Sequence, residues 1–119
     1  GWHPTATLGV FGAAAAAGIV LELNDDEMAV ALALATSMAA GLKSSFGTMA
    51  KPLQVGRAAE NGILCARIAA AGSNGPIDAM SAKQGFAMVY NGEGTFDLAV
   101  MTSTLGAPWD LVDPGIAIK

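Results

Sequence analysis

The stretch that decides the fold is Thr5 to Leu23, TATLGVFGAAAAAGIVLEL, in which small and aliphatic residues follow one another without a charge before Glu22. Pro4 suits the first position of a helix, because its ring fixes φ and it has no amide hydrogen to lose. The uncharged run from Ala6 to Leu21 has 16 residues, fewer than the roughly 20 that a bilayer-spanning helix needs. We therefore expect a buried helix and no membrane partner.

The remaining sequence alternates helices with turns. Asn24 and Glu27 have the spacing of a capping box, which predicts a second helix from Asp25 or Asp26 to about Ala40. A third helix is predicted from Pro52 to Gly72, one or two short helices within Ile77 to Tyr90, and another helix from Thr95 to Leu105. The residues after Pro108 are predicted to be extended. The predicted fold class is all-α, a helical bundle in a single unit over residues 1–119 with a short extended segment at its C-terminus.

The composition is very apolar for a chain of 119 residues. Hydrophobic residues make up 53%, charged residues only 13%, and the mean hydropathy is +0.48, whereas about a quarter of residues in a typical domain are charged. Too few polar residues remain to cover the surface. We expect the chain to be an internal fragment of a larger protein whose remainder covers its apolar faces.

Charge and cysteine content exclude several classes of protein. The net charge is −4 with a pI near 4.6, and the six basic residues are scattered, so nucleic acid is not an expected partner. Cys65 is the only cysteine, which excludes an internal disulfide and a four-cysteine metal site. We expect a buried thiol, no metal site and a cytoplasmic location.

His3, the only histidine, lies immediately before Pro4 at the predicted start of the first helix. Free N–H groups and the positive end of the helix dipole attract anions there and disfavour the imidazolium form. A histidine held neutral near pH 7 can act as a base. Position alone nevertheless favours a terminal histidine without a role, with catalysis as the alternative.

Lys51 repeats this arrangement ahead of Pro52, so that an ammonium group and free helix N–H groups would face one anion, such as a carboxylate. A solvated surface lysine is the alternative reading. Arg57, farther along the same predicted helix, could bind a carboxylate, but a local ion pair with Glu60 three residues later is the favoured reading.

Three blocks resemble the MmgE/PrpD family along essentially the whole chain: GWHPTATLGVFGAAAAAG at 1–18, SSFGTMAKPLQVGRAAENG at 44–62 and LGAPWDLVDPGIAIK at 105–119. The resemblance implies part of a helical domain without its lid domain, in a cytoplasmic homodimer that acts on small carboxylic acids without a cofactor. It places His3 and Lys51 at the catalytic positions of the family, and Lys51 and Lys119 at substrate-binding positions. Gln54 departs from the family pattern, since relatives commonly have histidine there.

The function that the resemblance implies is that of a lyase for a di- or tricarboxylic acid. His3 would serve as general acid/base, and Lys51 would bind a carboxylate and stabilise developing negative charge. By analogy with the family we favour dehydration of a 2-methylcitrate-like substrate. Decarboxylation of cis-aconitate, epimerisation of an iminodisuccinate-like compound and a non-catalytic helical oligomerisation domain are the alternatives.

Overall fold

A computed structural model describes residues 1–103 and 105–106. This part of the chain is helical and contains no strand, which confirms the predicted all-α class. The α-helices in chain order are α1 (Pro4–Thr7), α2 (Gly9–Val20), α3 (Asp25–Thr36), α4 (Ala50–Ala70), α5 (Phe86–Asn91) and α6 (Val100–Ser103), with a 3₁₀ turn at Lys43–Ser45. The extended segment predicted after Pro108 and the candidate residue Lys119 lie outside the described residues.

The first predicted helix begins at Pro4 as expected, but it is not continuous. Leu8 separates α1 from α2, so the prediction of one helix over Thr5–Leu23 is wrong. Gly9 follows the break, and glycine is a poor helix former, so that a bend costs little at this point. The break separates α2 from the short helix α1, which His3 precedes.

The end of α2 is a Schellman motif with an unusual residue in its left-handed position. Leu23 N–H donates to the Gly18 carbonyl at 3.0 Å, and Glu22 N–H donates to the Ile19 carbonyl at 3.1 Å. Glu22 therefore has φ of 58°, at the position that glycine usually occupies. The chain then turns directly into α3.

The start of α3 confirms the predicted capping box. Glu27 N–H donates to the Asn24 side chain, and Asn24 N–H donates to the Glu27 carboxylate, each at 2.9 Å. The helix ends at Thr36, earlier than the predicted end near Ala40. The carbonyl of Ala39 accepts a long-range hydrogen bond from the hydroxyl of Tyr90 at 2.5 Å, so this segment takes part in a tertiary contact.

Helix α4 packs against α1, α2 and α3 and approaches α2 most closely at Gly62. A Cβ at this position would lie 2.5 Å from the Ala13 Cβ and 2.7 Å from the Ala14 nitrogen. The core around this contact consists mostly of small side chains, with buried members Val10, Ala14, Ala35, Ala39, Ala58 and Cys65. Helices α2 and α4 can therefore pack this closely only because Gly62 has no side chain.

Helix α4 ends near the predicted residue, in a second Schellman motif. Ser73 N–H donates to the Ile68 carbonyl at 3.3 Å, and Gly72 N–H donates to the Ala69 carbonyl at 2.9 Å. Gly72 has φ of 82°, which glycine adopts without steric cost. This motif matches that of α2 except for the residue in the left-handed position.

Beyond α4 the structure agrees with the sequence prediction in part. One short helix, α5, forms where one or two short helices are predicted, and it ends at Asn91, one residue past the predicted range. Within the described part of Thr95–Leu105, the helix is limited to α6 at Val100–Ser103. The hydroxyl of Thr95 donates to the carbonyls of Asn91 and Gly92 at 2.7 and 2.8 Å, which favours a turn over an earlier helix start.

An aromatic chain joins α5 to the first half of the protein. The ring of Tyr90 stacks on Phe86 with centroids 4.4 Å apart, and it lies 4.5 Å from the ring of Trp2. Phe86 in turn meets Phe11 of α2 edge to face at 5.0 Å. These contacts hold α5 against the N-terminal residues and thereby support the region of His3.

Because the core is built largely of alanine, many large apolar side chains remain on the surface. The exposed ones on the main helices include Ile19, Val20, Leu53, Ile63 and Leu64. Within the described residues, no helix combines the length and the apolar character that crossing a membrane requires.

We predict opposite effects for alanine at two glycines of α4. Gly62→Ala should lower the free energy of unfolding by about 1–3 kcal/mol, because the added methyl group meets the backbone of α2. Gly56 is exposed and has open space around it, so Gly56→Ala should raise it by about 0.5–1 kcal/mol through helix propensity. Chemical denaturation of both variants measures the difference, and effects of the same sign would contradict the close packing.

The two Schellman motifs give a second matched pair. Glu22→Gly should raise the free energy of unfolding by about 0.5–1 kcal/mol, because glycine relieves the left-handed strain. Gly72→Ala should lower it by a similar amount, about 1 kcal/mol, by introducing that strain. Thermal unfolding of both variants tests this, and destabilisation by Glu22→Gly would show that the Glu22 side chain makes a stabilising contribution.

Candidate functional site

His3 is held in place by its backbone at the start of α1. It is 4% exposed, and its N–H donates to the Gly41 carbonyl at 3.1 Å. Its own carbonyl accepts from the N–H groups of Ala6 and Thr7 at 3.0 and 2.9 Å, and Pro4 follows in the first helical position. The side chain makes no capping hydrogen bond and is therefore free for another role.

The Nδ1 atom of the His3 imidazole has no hydrogen-bond partner among the residues that the structure describes. Nδ1 is buried and forms no hydrogen bond to any of residues 1–103 and 105–106, although an unsatisfied buried polar atom costs about 1–3 kcal/mol. The Phe46 ring packs edge to face against the imidazole, with centroids 4.9 Å apart and an interplanar angle of 80°. A buried but unpaired nitrogen of this kind is typical of a group kept for a ligand or for chemistry.

The dipole of α1 is too small to act on His3 as the sequence predicts. Helix α1 has only four residues, and the dipole of so short a helix is small. The burial of His3 and its contact with Phe46 now carry the functional interpretation.

Lys51 also lies differently from its prediction. Helix α4 begins at Ala50, so Lys51 is inside the first turn and Pro52 is the third helical residue rather than the first. The N–H groups of Ala50 and Lys51 donate to the hydroxyl and the carbonyl of Thr48, each at 3.2 Å. The predicted cluster of free N–H groups is wrong, because Thr48 already caps them and proline has none.

The charged group of Lys51 is nevertheless well placed for an anion. Its Nζ lies 4.6 Å from the centroid of the Phe46 ring, a cation–π contact. The side chain is exposed, and a positive charge in the first turn of a helix is repelled by the helix dipole. An anion bound beside Lys51 would offset this repulsion.

Phe46 therefore brings the two sequence-predicted residues together, because its ring contacts both His3 and Lys51. No sequence motif indicates this role of Phe46. Phe46 follows the 3₁₀ turn and reaches both residues only through the tertiary fold. Together they form the candidate site, a buried imidazole and an exposed ammonium group on one aromatic ring.

The backbone beside the site is held by a short ladder of hydrogen bonds. Trp2 and Leu42 form an antiparallel bridge, and Lys43 N–H donates to the Gly1 carbonyl at 2.8 Å. Gln54 completes the arrangement from α4: its Oε1 accepts from Leu42 N–H at 2.9 Å and its Nε2 donates to the Leu42 carbonyl at 3.3 Å. Gln54 thus contacts the segment next to His3.

Gly41 is required in this ladder. It has φ of 119°, and a Cβ there would lie 2.6 Å from the Ala6 Cβ and 2.7 Å from the Gln54 Oε1. Any other residue would combine backbone strain with a clash. The segment is therefore packed tightly between α1 and α4.

Arg57 makes the predicted local ion pair. Its Nη1 lies 2.6 Å from the Glu60 Oε2, and both side chains are mostly exposed, so the pair contributes little to stability. Arg57 also lines a cavity of about 290 Å³ with Ser45, Gln54 and Asn61. This cavity adjoins the Gln54 side of the candidate site.

Cys65 does not belong to the site. It is fully buried in the core, and burial raises the pKa of its thiol above the ordinary value of 9.0, which disfavours a reactive thiolate. Among the described residues, no group of three or more His, Cys, Asp or Glu lies close enough together to hold a metal ion.

Comparison with known proteins identifies one family model and relatives that share one name. A family model described as the MmgE/PrpD N-terminal domain matches residues 1–99. Cis-aconitate decarboxylase of Homo sapiens is 32% identical over 118 residues, covering 99% of this chain and 24% of that protein. The Mus musculus protein of the same name is 31% identical over the same shares, and that of Aspergillus terreus is 45% identical over 65 residues, 54% of this chain and 13% of that protein.

The chain thus spans about a quarter of the length of the two mammalian relatives. The match to the family model begins before His3 and Lys51 and runs through α5 to residue 99. Since this model covers most of the chain, the chain belongs to the MmgE/PrpD family.

Proposed function

We propose that the protein containing this chain is a lyase that acts on a small di- or tricarboxylic acid at a carbon next to a carboxylate. The observation that carries the proposal is the pair of side chains on Phe46: the buried His3 imidazole with an unpaired nitrogen, and the Lys51 ammonium group. The relatives named cis-aconitate decarboxylase support the same class of reaction.

Lys51 and His3 have different roles in this proposal. Lys51, whose ammonium group lies over the ring of Phe46, binds one carboxylate of the substrate and stabilises the negative charge that develops beside it. His3 transfers the proton. A positioned acid/base contributes about 10²–10⁴-fold in rate, and an electrostatic donor such as Lys51 can contribute a comparable factor.

The relatives' names favour decarboxylation of cis-aconitate as the reaction. In this reaction a carbon–carbon bond breaks, carbon dioxide leaves, and the electron pair left on carbon takes a proton, which His3 donates. Dehydration of a 2-methylcitrate-like substrate is the second candidate, because the same imidazole can protonate a leaving hydroxyl group. The proposal also includes a homodimer, in which this chain forms part of the helical domain. Lys119 is proposed as a second ligand for a substrate carboxylate.

Substitution of the two residues tests the proposal in the full-length protein. We expect His3→Ala to lower kcat by about 10²–10⁴-fold, and Lys51→Ala to raise KM and lower kcat by at least about tenfold, since it removes a charge that contacts the substrate. Lys51→Arg should retain part of the activity. Turnover of cis-aconitate and of 2-methylcitrate measures these effects and also separates the two reactions.

Lys83→Ala is the matched control, because Lys83 is an exposed lysine outside the site; its kinetics should equal those of the parent protein. Thermal unfolding establishes that each variant is folded. Parent-like turnover by folded His3→Ala and Lys51→Ala proteins would refute the mechanism, and a parent protein without activity on either acid would refute the substrate assignment.

A further inference from the structure

Gln54 uses both ends of its carboxamide on one backbone residue. The Oε1 accepts from Leu42 N–H at 2.9 Å, and the Nε2 donates to the Leu42 carbonyl at 3.3 Å. Leu42 is extended, with φ of −124° and ψ of 142°. The side chain of Gln54 thus pairs with Leu42 as the backbone of a neighbouring strand would.

The segment that Gln54 holds carries His3 on its other side. Gly41, directly before Leu42, accepts the N–H of His3, and Lys43, directly after it, donates to the Gly1 carbonyl. The backbone of residues 1–3 is therefore attached to residues 41–43, which are attached to α4 through Gln54. Displacement of Leu42 would move the backbone of His3 with it.

The same segment also sets the position of the Phe46 ring. Ser45 N–H donates to the Leu42 carbonyl at 3.3 Å, the oxygen that Gln54 also contacts, and Phe46 N–H donates to the Lys43 carbonyl at 3.0 Å. The 3₁₀ turn leading to Phe46 thus starts from the residue that Gln54 fixes. Both the attachment of His3 and the ring against its imidazole depend on Leu42.

Gly41 makes this attachment necessary. A glycine with φ of 119° has wide conformational freedom, so the segment needs an external contact to stay in one conformation. The Oε1 of Gln54 is one of the atoms closest to the place where a Gly41 Cβ would lie. Gln54 therefore both closes the space beside Gly41 and holds the residue after it.

We propose that Gln54 is a positioning residue for His3 that acts through the backbone of Leu42. Its carboxamide is occupied at both ends, so it is not the group that binds substrate. Its kinetic consequence rests on the proposed function, in which the His3 imidazole transfers a proton. A misplacement of about 1 Å can cost on the order of 10²-fold in rate.

The test uses the full-length protein with three variants. Gln54→Leu removes both hydrogen bonds at similar size, and Gln54→Glu keeps the acceptor for Leu42 N–H while losing the donor. Gln84→Leu is the control, since Gln84 is an exposed glutamine outside the ladder. The measurements are kcat and KM with the acid that the parent protein turns over, and hydrogen exchange of the Leu42 amide.

We expect Gln54→Leu to lower kcat by about 10–100-fold with KM changed less than about threefold, and Leu42 exchange to become at least about tenfold faster. Gln54→Glu should lie between Gln54→Leu and the parent in kcat, and Gln84→Leu should match the parent. A purely structural role would lower thermal stability without this separation of kcat from KM.

Parent-like kcat in folded Gln54→Leu, a raised KM with unchanged kcat, or unchanged exchange of Leu42 would each overturn the proposal. If Gln54→Leu does not fold, Gln54→Glu decides by the same criteria. Failure of the proposed function can be distinguished from failure of the proposal for Gln54, because in the first case the parent protein would turn over neither acid. In that case the exchange of Leu42 alone decides whether Gln54 holds the segment.

Discussion

The close approach of α2 and α4 at Gly62 is the constraint on which the rest of the structure depends. With no side chain at this position, the backbone of α2 lies directly against α4. This contact fixes the direction of a helix of 21 residues, whose first two turns carry Lys51 and Gln54. The packing in the middle of the bundle thus decides where the two residues stand relative to the N-terminal segment.

The candidate site combines two environments on one ring. The His3 imidazole is buried against one part of Phe46, whereas the Lys51 ammonium group remains in contact with water. Under the proposed function, such a pair suits a charged substrate, since an exposed cation attracts a carboxylate and a buried imidazole can exchange a proton away from bulk solvent. Their common support is the segment between Gly41 and Phe46, which belongs to neither long helix.

Besides the all-α class and the approximate end of α4, the contacts predicted correctly from the sequence are those determined within one turn of helix. The capping box of Asn24 and Glu27 and the ion pair of Arg57 and Glu60 join residues three apart, where spacing alone brings the groups together. The pairing of Gln54 with Leu42 and of Tyr90 with Ala39 joins residues 12 and 51 apart. No local pattern encodes such contacts, because they exist only after the helices have packed.

The same limit explains the errors at the site. His3 and Lys51 were identified from their motifs and from the family resemblance, but their surroundings were inferred from proline positions, which locate a helix start only within a few residues. The start of α4 at Ala50 brought Thr48 into the capping role and so removed the free N–H groups. The ring that joins the two residues could not be deduced, since an aromatic residue in a loop has no periodicity to read.

The alanine-rich core has a consequence for how the protein can respond to a ligand. Alanine has no rotamers, so burying it costs no side-chain conformational entropy, and it offers no alternative side-chain packing. The buried alanines Ala14, Ala35 and Ala58 therefore limit how the helices around them can repack. Adaptation to a ligand of different shape is then left to turns with open space around them, such as the one at Gly47, where φ is 83° and a Cβ would meet no atom within 4 Å.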